Sequence, residues 1–260
     1  MLLKKKQSKT SSLRHQLLSD KTLLYTKKIP KILIKRLPKN SGRNNNGHIC
    51  IRHRGGGFRK LYRTINWNNL LNEGVVVGIE YDPLRSSLLA RVFNSETKNF
   101  SYILANKFLF PGSKISMGPN LTEIRIGNRL PLLKIPAGSI ISAVGSKRAL
   151  FARAAGTSCQ LLQKGPIISK IRVPSGEIKF LNSNTFASIG SISNEMHNLQ
   201  IIGKAGKSRL KGLRPKVRGV AMNPIDHPHG GAGGRPSVTP WGKPTKGKPT
   251  KQNKKKYVKI

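Results

Sequence analysis

An excess of forty positive charges most constrains how this chain can fold, since 49 Lys and Arg stand against 9 Asp and Glu in 260 residues. Left alone, such an excess opposes compaction by self-repulsion. A polyanion relieves it. Nucleic acid fits best, because neutralising phosphates releases counterions and supplies affinity that does not depend on sequence. A membrane surface would require an amphipathic helix with Trp, Phe or Leu along one face. No stretch has that pattern, and none approaches the roughly 20 apolar residues of a spanning helix.

The charge is unevenly placed. Residues 1–60 carry 17 basic groups and one acid, Asp20, and residues 203–260 carry 16 basic groups and one acid, Asp226. The centre, 61–202, holds 16 basic groups and seven acids. A nearly ordinary middle is therefore flanked by two cationic arms.

The middle reads as β. KLYRTINW (60–67), GVVVGIEYD (74–82), SLLARVF (87–93), NFSYILA (99–105), SIISAVG (139–145), ALFARAAG (149–156), TSCQLLQ (157–163), IISKIRV (167–173) and GEIKFL (176–181) are short and bounded by turn signals. DPLRSS (82–87), with proline second, and VPSGE (173–177) are the connectors of two hairpins. Strands this short and evenly spaced predict a mostly-β chain of two small barrels, divided near residue 120, where PGSKISMGPN (111–120) breaks the pattern. SNEMHNLQII (193–202) predicts a short helix capped by Ser193 or Asn194. The expected segments are a basic extension over 1–40, one barrel over 41–118, a second over 119–202 and an arm over 203–260.

The arms, among them KILIKRLPKNSGRNNNGH (31–48) and GKAGKSRLKGLRPKVRG (203–219), alternate cations with glycine, serine and asparagine. Alone they bury too little apolar surface to offset the entropy of ordering, so phosphates are expected to order them. GVAMNPIDHPHGGAGGRP (219–236) is the extreme case, since its prolines remove backbone donors and its glycines remove rotational restraint.

Several motifs carry chemistry. RHRGGGFRKLYR (52–63) sets three glycines between arginine clusters: glycine lets a backbone approach phosphates, Arg52, Arg54, Arg59 and Arg63 bridge them, and Phe58 is placed to stack on a base. A glycine-rich turn on a basic surface is an equal reading. FARAAGTSCQLL (151–162) brings Arg153 close to a sugar–phosphate backbone, or else forms a tightly packed strand. His227 and His229 lack further ligands at metal spacing and lack a partner nucleophile, so their ring edges are expected to bond phosphate, ribose or a base. Asp226 reads as a turn cap, or as a contact to Mg²⁺ already held by nucleic acid. Cys50 and Cys159 are expected to be packing residues in a reducing compartment. The start, MLLKKKQSKTSSLRHQLL, lacks the apolar run of a secretory signal and is either a targeting segment or another RNA arm.

HICIRHRGGGFRKLYR, IEYDPLRSSLLARV, LPLLKIPAGS, FARAAGTSCQLL, IRVPSGE, IIGKAGKSRLKGLRPKVRGVAMNPIDHPHGG and TPWGKPTKG, in this order from about residue 21 to the end, resemble large-subunit ribosomal protein two of the bacterial type. The resemblance implies an oligonucleotide-binding (OB) barrel, then an SH3-like barrel, with both termini extended into rRNA. It also implies a position beside the peptidyl transferase centre, with roles in tRNA binding and subunit association. Its partners would be large-subunit rRNA, neighbouring ribosomal proteins and the small subunit, with neither a membrane nor a second copy of the chain. The resemblance further implies no cofactor beyond rRNA-associated Mg²⁺, with RNA rather than His229 carrying the chemistry. The candidate RNA contacts are Arg43, Arg52, His53, Arg54, Gly56, Phe58, Arg59, Arg63, Arg153, Lys204, Lys207, Arg209, Lys211, Arg214, Lys216, Arg218, Asn223, His227, His229, Arg235, Trp241 and Lys243. After HPHGG the family has glycine, an acid and glycine, whereas this chain has Ala232, Gly233 and Gly234. TPWGKPTKG resembles alphaproteobacterial and mitochondrial members, which favours a mitochondrial ribosome over a plastid or bacterial one. Two other classes stay open on charge and histidines alone: a DNA-compacting protein, and an enzyme with His229 as base.

Overall fold

The computed structural model describes residues 3–67, 71–119, 123–146, 148–231 and 236–245. The chain divides into two compact units, one of Met1–Pro38 with Arg59–Ala205 and one of Lys39–Phe58 with Gly206–Ile260. These units cut the chain differently from the four expected segments, because residues 39–58 group with the C-terminal segment and not with the strands that follow them.

The first unit is mostly β. β1 (Leu3–Lys5) pairs with β2 (Leu17–Ser19), and β3 (Ile34–Arg36) pairs with β4 (Leu61–Arg63), so strands also occur within the expected extension. The main sheet contains β5 (Leu71–Glu80), β6 (Leu89–Asn94), β7 (Phe100–Leu104), β8 (Lys114–Met117), β9 (Arg129–Pro131), β10 (Ile140–Ser142), β11 (Cys159–Gln163), β12 (Ile168–Arg172), β13 (Ile178–Asn182) and β14 (Phe186–Ile189). Its order is β13-β12-β11-β10-β14-β9-β8-β5-β6-β7. All neighbours are antiparallel except β8 and β9, which meet through one parallel pair, Met117 with Arg129.

Each half buries its own apolar set. Val76, Val92, Ile103, Ile115 and Met117 fill the first, and Leu130, Ile141, Leu161, Ile171 and Ala187 fill the second. The alternation is legible along β8, where Ile115 and Met117 point inward and Lys114 outward. A third cluster around Leu89, Tyr102, Leu104, Ala143 and Ile192 combines residues of both halves.

Four local expectations change. ALFARAAG forms no strand beyond a bridge from Phe151 to Val144, because Ala152 (φ +49°) and Gly156 (φ +68°) leave the extended region. PGSKISMGPN, read as a break, supplies β8. The helix expected over 193–202 is a 3₁₀ turn at Glu195–Leu199. Asn194 holds the expected N-cap position, but at φ +65° its side chain makes no capping bond, and its amide donates to Ser86 O at 2.6 Å. Finally, β9 and β14 fall outside the predicted runs.

Two acids lie in the core of this cationic chain, each neutralised there. Glu80 pairs with Arg91 at 2.5 Å and accepts the Tyr102 hydroxyl at 2.6 Å. Burial and this bond push the Tyr102 phenol up to about 12. Asp82 is fully buried, bonded by Arg85 at 2.5 Å with Arg63 at 3.7 Å, and its Oδ1 accepts the Leu84 N–H, shaping the DPLRSS turn. Arg129 donates to Ala143 O and Gly145 O, and burial draws its guanidinium down to about 10. Cys159 is buried as expected. Cys50, expected to pack, is instead exposed, because the turn that carries it has no core beneath it.

Candidate nucleic-acid interface

The second unit is assembled without an apolar core: among its described residues no apolar side chain is buried. Backbone polar groups and glycine hold it together. In its first strand of chain, Asn44 Oδ1 accepts the N–H groups of Asn46 and His48, and Gly42 O accepts those of Cys50 and Ile51. Arg43 donates to Gly47 O at 2.8 Å. These are the local bonds that Asn and Gly offer where regular structure is not available.

RHRGGGF then clasps the C-terminal segment. Gly55 N donates to Gly212 O at 3.0 Å, Phe58 N to Leu210 O at 3.1 Å, and Arg214 N to His53 O at 3.0 Å. Arg54 bridges to Leu213, and His53 Nδ1 lies 3.0 Å from Pro215 O. Gly57 makes this approach possible. Its φ is +76°, and a Cβ there would lie 2.5 Å from Leu210 O and 2.7 Å from Gly212 N. One glycine of the motif thus serves a close approach to the protein's own backbone. Gly56, also left-handed, has nothing within 4 Å of its Cβ position.

The clasp gathers Arg43, Arg52, Arg54, Lys207, Arg209, Lys211, Arg214, Lys216 and Arg218 in one unit. Phe58 is 67% exposed. Trp241 is 74% exposed, with the Arg52 guanidinium 5.2 Å from its ring. Lys243, whose N–H closes a turn on Thr239 Oγ1, is exposed too.

The HPH loop has a defined path. Asn223 O accepts the N–H groups of Asp226 and His227, and His227 O accepts that of Gly230. His227 Nδ1 accepts the His229 N–H at 3.0 Å, and His229 Nε2 accepts the Val238 N–H at 2.9 Å. Each accepting nitrogen must carry a lone pair, so the protons sit on His227 Nε2 and His229 Nδ1. The rings lie 4.6 Å apart. The sequence reading turned both ring edges outward; one nitrogen of each ring instead shapes the loop, and the other has no hydrogen-bond partner among the described residues. Asp226 is exposed at the end of the turn.

The other candidates lie in the first unit. Arg59, Arg153 and Lys204 are exposed there, while Arg63 turns inward toward Asp82. Arg153 lines a cleft of about 480 Å³ with Trp67, Arg85, Arg148, Leu150 and Thr157. Sequence reading missed Trp67 and Arg148; the signal was an arginine five residues before Arg153. Arg235 and the tail 246–260 lie outside the described residues. Among the described residues no group of three or more His, Cys, Asp or Glu is placed to hold a metal ion. Nor is any helix among them long and apolar enough to cross a membrane.

The chain is similar to known proteins along nearly its whole length. Residues 30–117 match the family model for Ribosomal Proteins L2, RNA binding N-terminal domain, and residues 125–251 match Ribosomal Proteins L2, C-terminal domain. The chain is 44% identical to Large ribosomal subunit protein uL2m of Reclinomonas americana, over 100% of this chain and 97% of the relative. It is 42% identical to Large ribosomal subunit protein uL2 of Agrobacterium fabrum, over 98% and 95%. It is 45% identical to the protein of that name from Rickettsia akari, over 95% and 93%. With both family domains matched in order and relatives this similar along nearly the whole chain, the protein belongs to the ribosomal protein L2 family.

Proposed function

We propose that this chain is a structural constituent of the large ribosomal subunit that binds rRNA through its second unit and through the Arg148–Arg153 cleft. One observation carries the reading: residues 39–58 and 206–260 hold four and fifteen cations against the single acid Asp226, in a unit that buries no described apolar side chain. Such a surface is suited to a polyanion threading among its loops. Family membership extends the reading to a primary rRNA-binding role beside the peptidyl transferase centre, in tRNA binding and in subunit association. The uL2m relative supports a mitochondrial ribosome, with a bacterial one as the alternative through the bacterial uL2 relatives. The protein's partners are then rRNA with its associated Mg²⁺ and neighbouring ribosomal proteins.

Seven cations lie between Lys204 and Arg218. At a slope of about −0.7 to −0.9 per phosphate contact, affinity for a large-subunit rRNA fragment falls about a thousandfold from 50 to 200 mM salt. A flat salt response in filter binding overturns the proposal, and equal affinity for duplex DNA would favour compaction.

Catalysis by His229 is disfavoured because its Nε2 lone pair is committed to Val238 N. In assembled subunits carrying His229→Gln, the rate of peptide-bond formation at saturating substrate stays within about twofold while assembly yield drops. A defect in the chemical step of fully assembled particles would restore the histidine to catalysis.

A further inference from the structure

The turn after β7 presents two phenyl rings to solvent. Phe108 is 64% exposed and Phe110 63% exposed, while Leu109 between them is buried. Phe108 has φ +65°, a left-handed conformation unusual for a bulky residue. The turn is nonetheless firmly held. Lys107 N donates to Ser191 O at 2.8 Å, Leu109 N to Asn106 O at 3.3 Å, and Phe110 N to Ser113 Oγ at 3.2 Å. Strain maintained by so many bonds points to a use for the ring's outward position.

More apolar surface adjoins it. A Cβ at Gly190 would lie 3.3 Å from both Ile126 Cγ2 and Asn106 Nδ2, which places Ile126 against the same turn. Gly190 N also donates to Ile140 O. Ile126 and Ile140 are 42% and 55% exposed. Two of the cations beside it are paired with acids, while Lys114 next to Ser113 is exposed. Lys107, 5.0 Å from the Phe108 ring, pairs with Glu195 at 2.5 Å, and Arg125 pairs with Glu123 at 2.6 Å. Neutralised cations such as Lys107 and Arg125 attract phosphate less than unpaired ones, and an exposed aromatic and aliphatic patch with ion pairs at its rim suits protein contact.

We infer that Phe108, Phe110, Ile126 and Ile140 form a docking surface for an apolar, weakly charged segment of a neighbouring protein in the large subunit, and not for rRNA. The inference rests on the ribosomal reading above.

Full-length chain carrying a photoreactive benzoylphenylalanine at position 108 is assembled into large subunits, irradiated and digested. The expected adduct joins it to one protein of the subunit. A Phe108→Gly, Phe110→Ser double variant supplies the second arm, since glycine accepts φ +65° without strain and the fold is retained. In salt-washed subunits with this variant, the cross-linked protein falls about tenfold in stoichiometry, while the variant's own rRNA affinity is unchanged. An adduct to rRNA or to a second copy of this chain, no adduct, or undiminished stoichiometry of the captured protein overturns the inference. Absence of the wild-type chain from large subunits would instead sink the ribosomal reading, whereas entry with an rRNA adduct leaves that reading standing.

Discussion

The two units use charge in opposite ways. In the first, Glu80 and Asp82 are buried and paired with Arg91 and Arg85, so charge is spent inside a packed β structure. In the second, nineteen cations accompany one acid, and hydrogen bonds around glycines such as Gly42 and Gly57 stand where a core would be. The contrast explains how one chain carries so large an excess. The part that folds by burial holds most of the acids, and the part that lacks a core holds charge for an external anion. It also sets separate failure modes: breaking the first unit unfolds a sheet, and breaking the second misplaces cations.

The largest effect expected within this contrast comes from Glu80→Gln. Removing one member of a buried pair leaves Arg91 uncompensated, which costs about 3–5 kcal/mol. Chemical unfolding of the RNA-free chain, followed by strand circular dichroism, should show this loss, with the salt slope of rRNA binding unchanged under folding conditions. A loss below about 1 kcal/mol would mean the pair is solvated, and the contrast would weaken. The same cluster sets an alkaline limit. The folded Tyr102 phenol titrates near 12, above the ordinary 10, so from pH 10 upward the unfolded state loses its proton first. The stabilisation from Tyr102 is complete below pH 10 and is lost as pH rises toward 12. Tyr102→Phe should remove that part of the pH dependence.

The two units also differ in how far sequence reveals them. The mostly-β character was readable because alternation along a strand such as β12 records burial locally, residue by residue. The cationic surface was readable because charge needs no partner to be seen. What stayed hidden depended on distant pairing. That Gly57 meets Leu210 and Gly212 rests on chain more than 150 residues away, so RHRGGGF read equally well as a phosphate cradle. The same holds for Arg63, read as an RNA contact although Asp82 draws it inward. It holds for Cys50 as well, whose exposure follows from a missing core that no neighbouring residue announces. His227 and His229 stood out in the sequence, but their bonds to backbone N–H groups depend on loop geometry, which prolines and glycines do not encode by pattern.

A smaller and sharper test compares two adjacent glycines. Gly56→Ala and Gly57→Ala both place a side chain at positive φ, at about 1–2 kcal/mol each. Only at Gly57 does the new Cβ meet backbone on the opposite segment, at 2.5 Å from Leu210 O. Backbone cannot step aside as a side-chain end can, so Gly57→Ala should also cost the Gly55–Gly212 and Phe58–Leu210 bonds. The expected readout is amide exchange in the RNA-free protein: protection at Gly55, Phe58 and Arg214 falls about tenfold or more for Gly57→Ala and only a few-fold for Gly56→Ala. Affinity for rRNA should follow the same order at fixed salt, with the first unit's sheet amides unaffected. Equal effects at the two positions would show that the clasp does not organise the second unit. If those amides exchanged at unprotected rates even in the unsubstituted chain, and became protected only with rRNA, the clasp would be a product of binding, and the second unit would owe its shape wholly to the anion it meets.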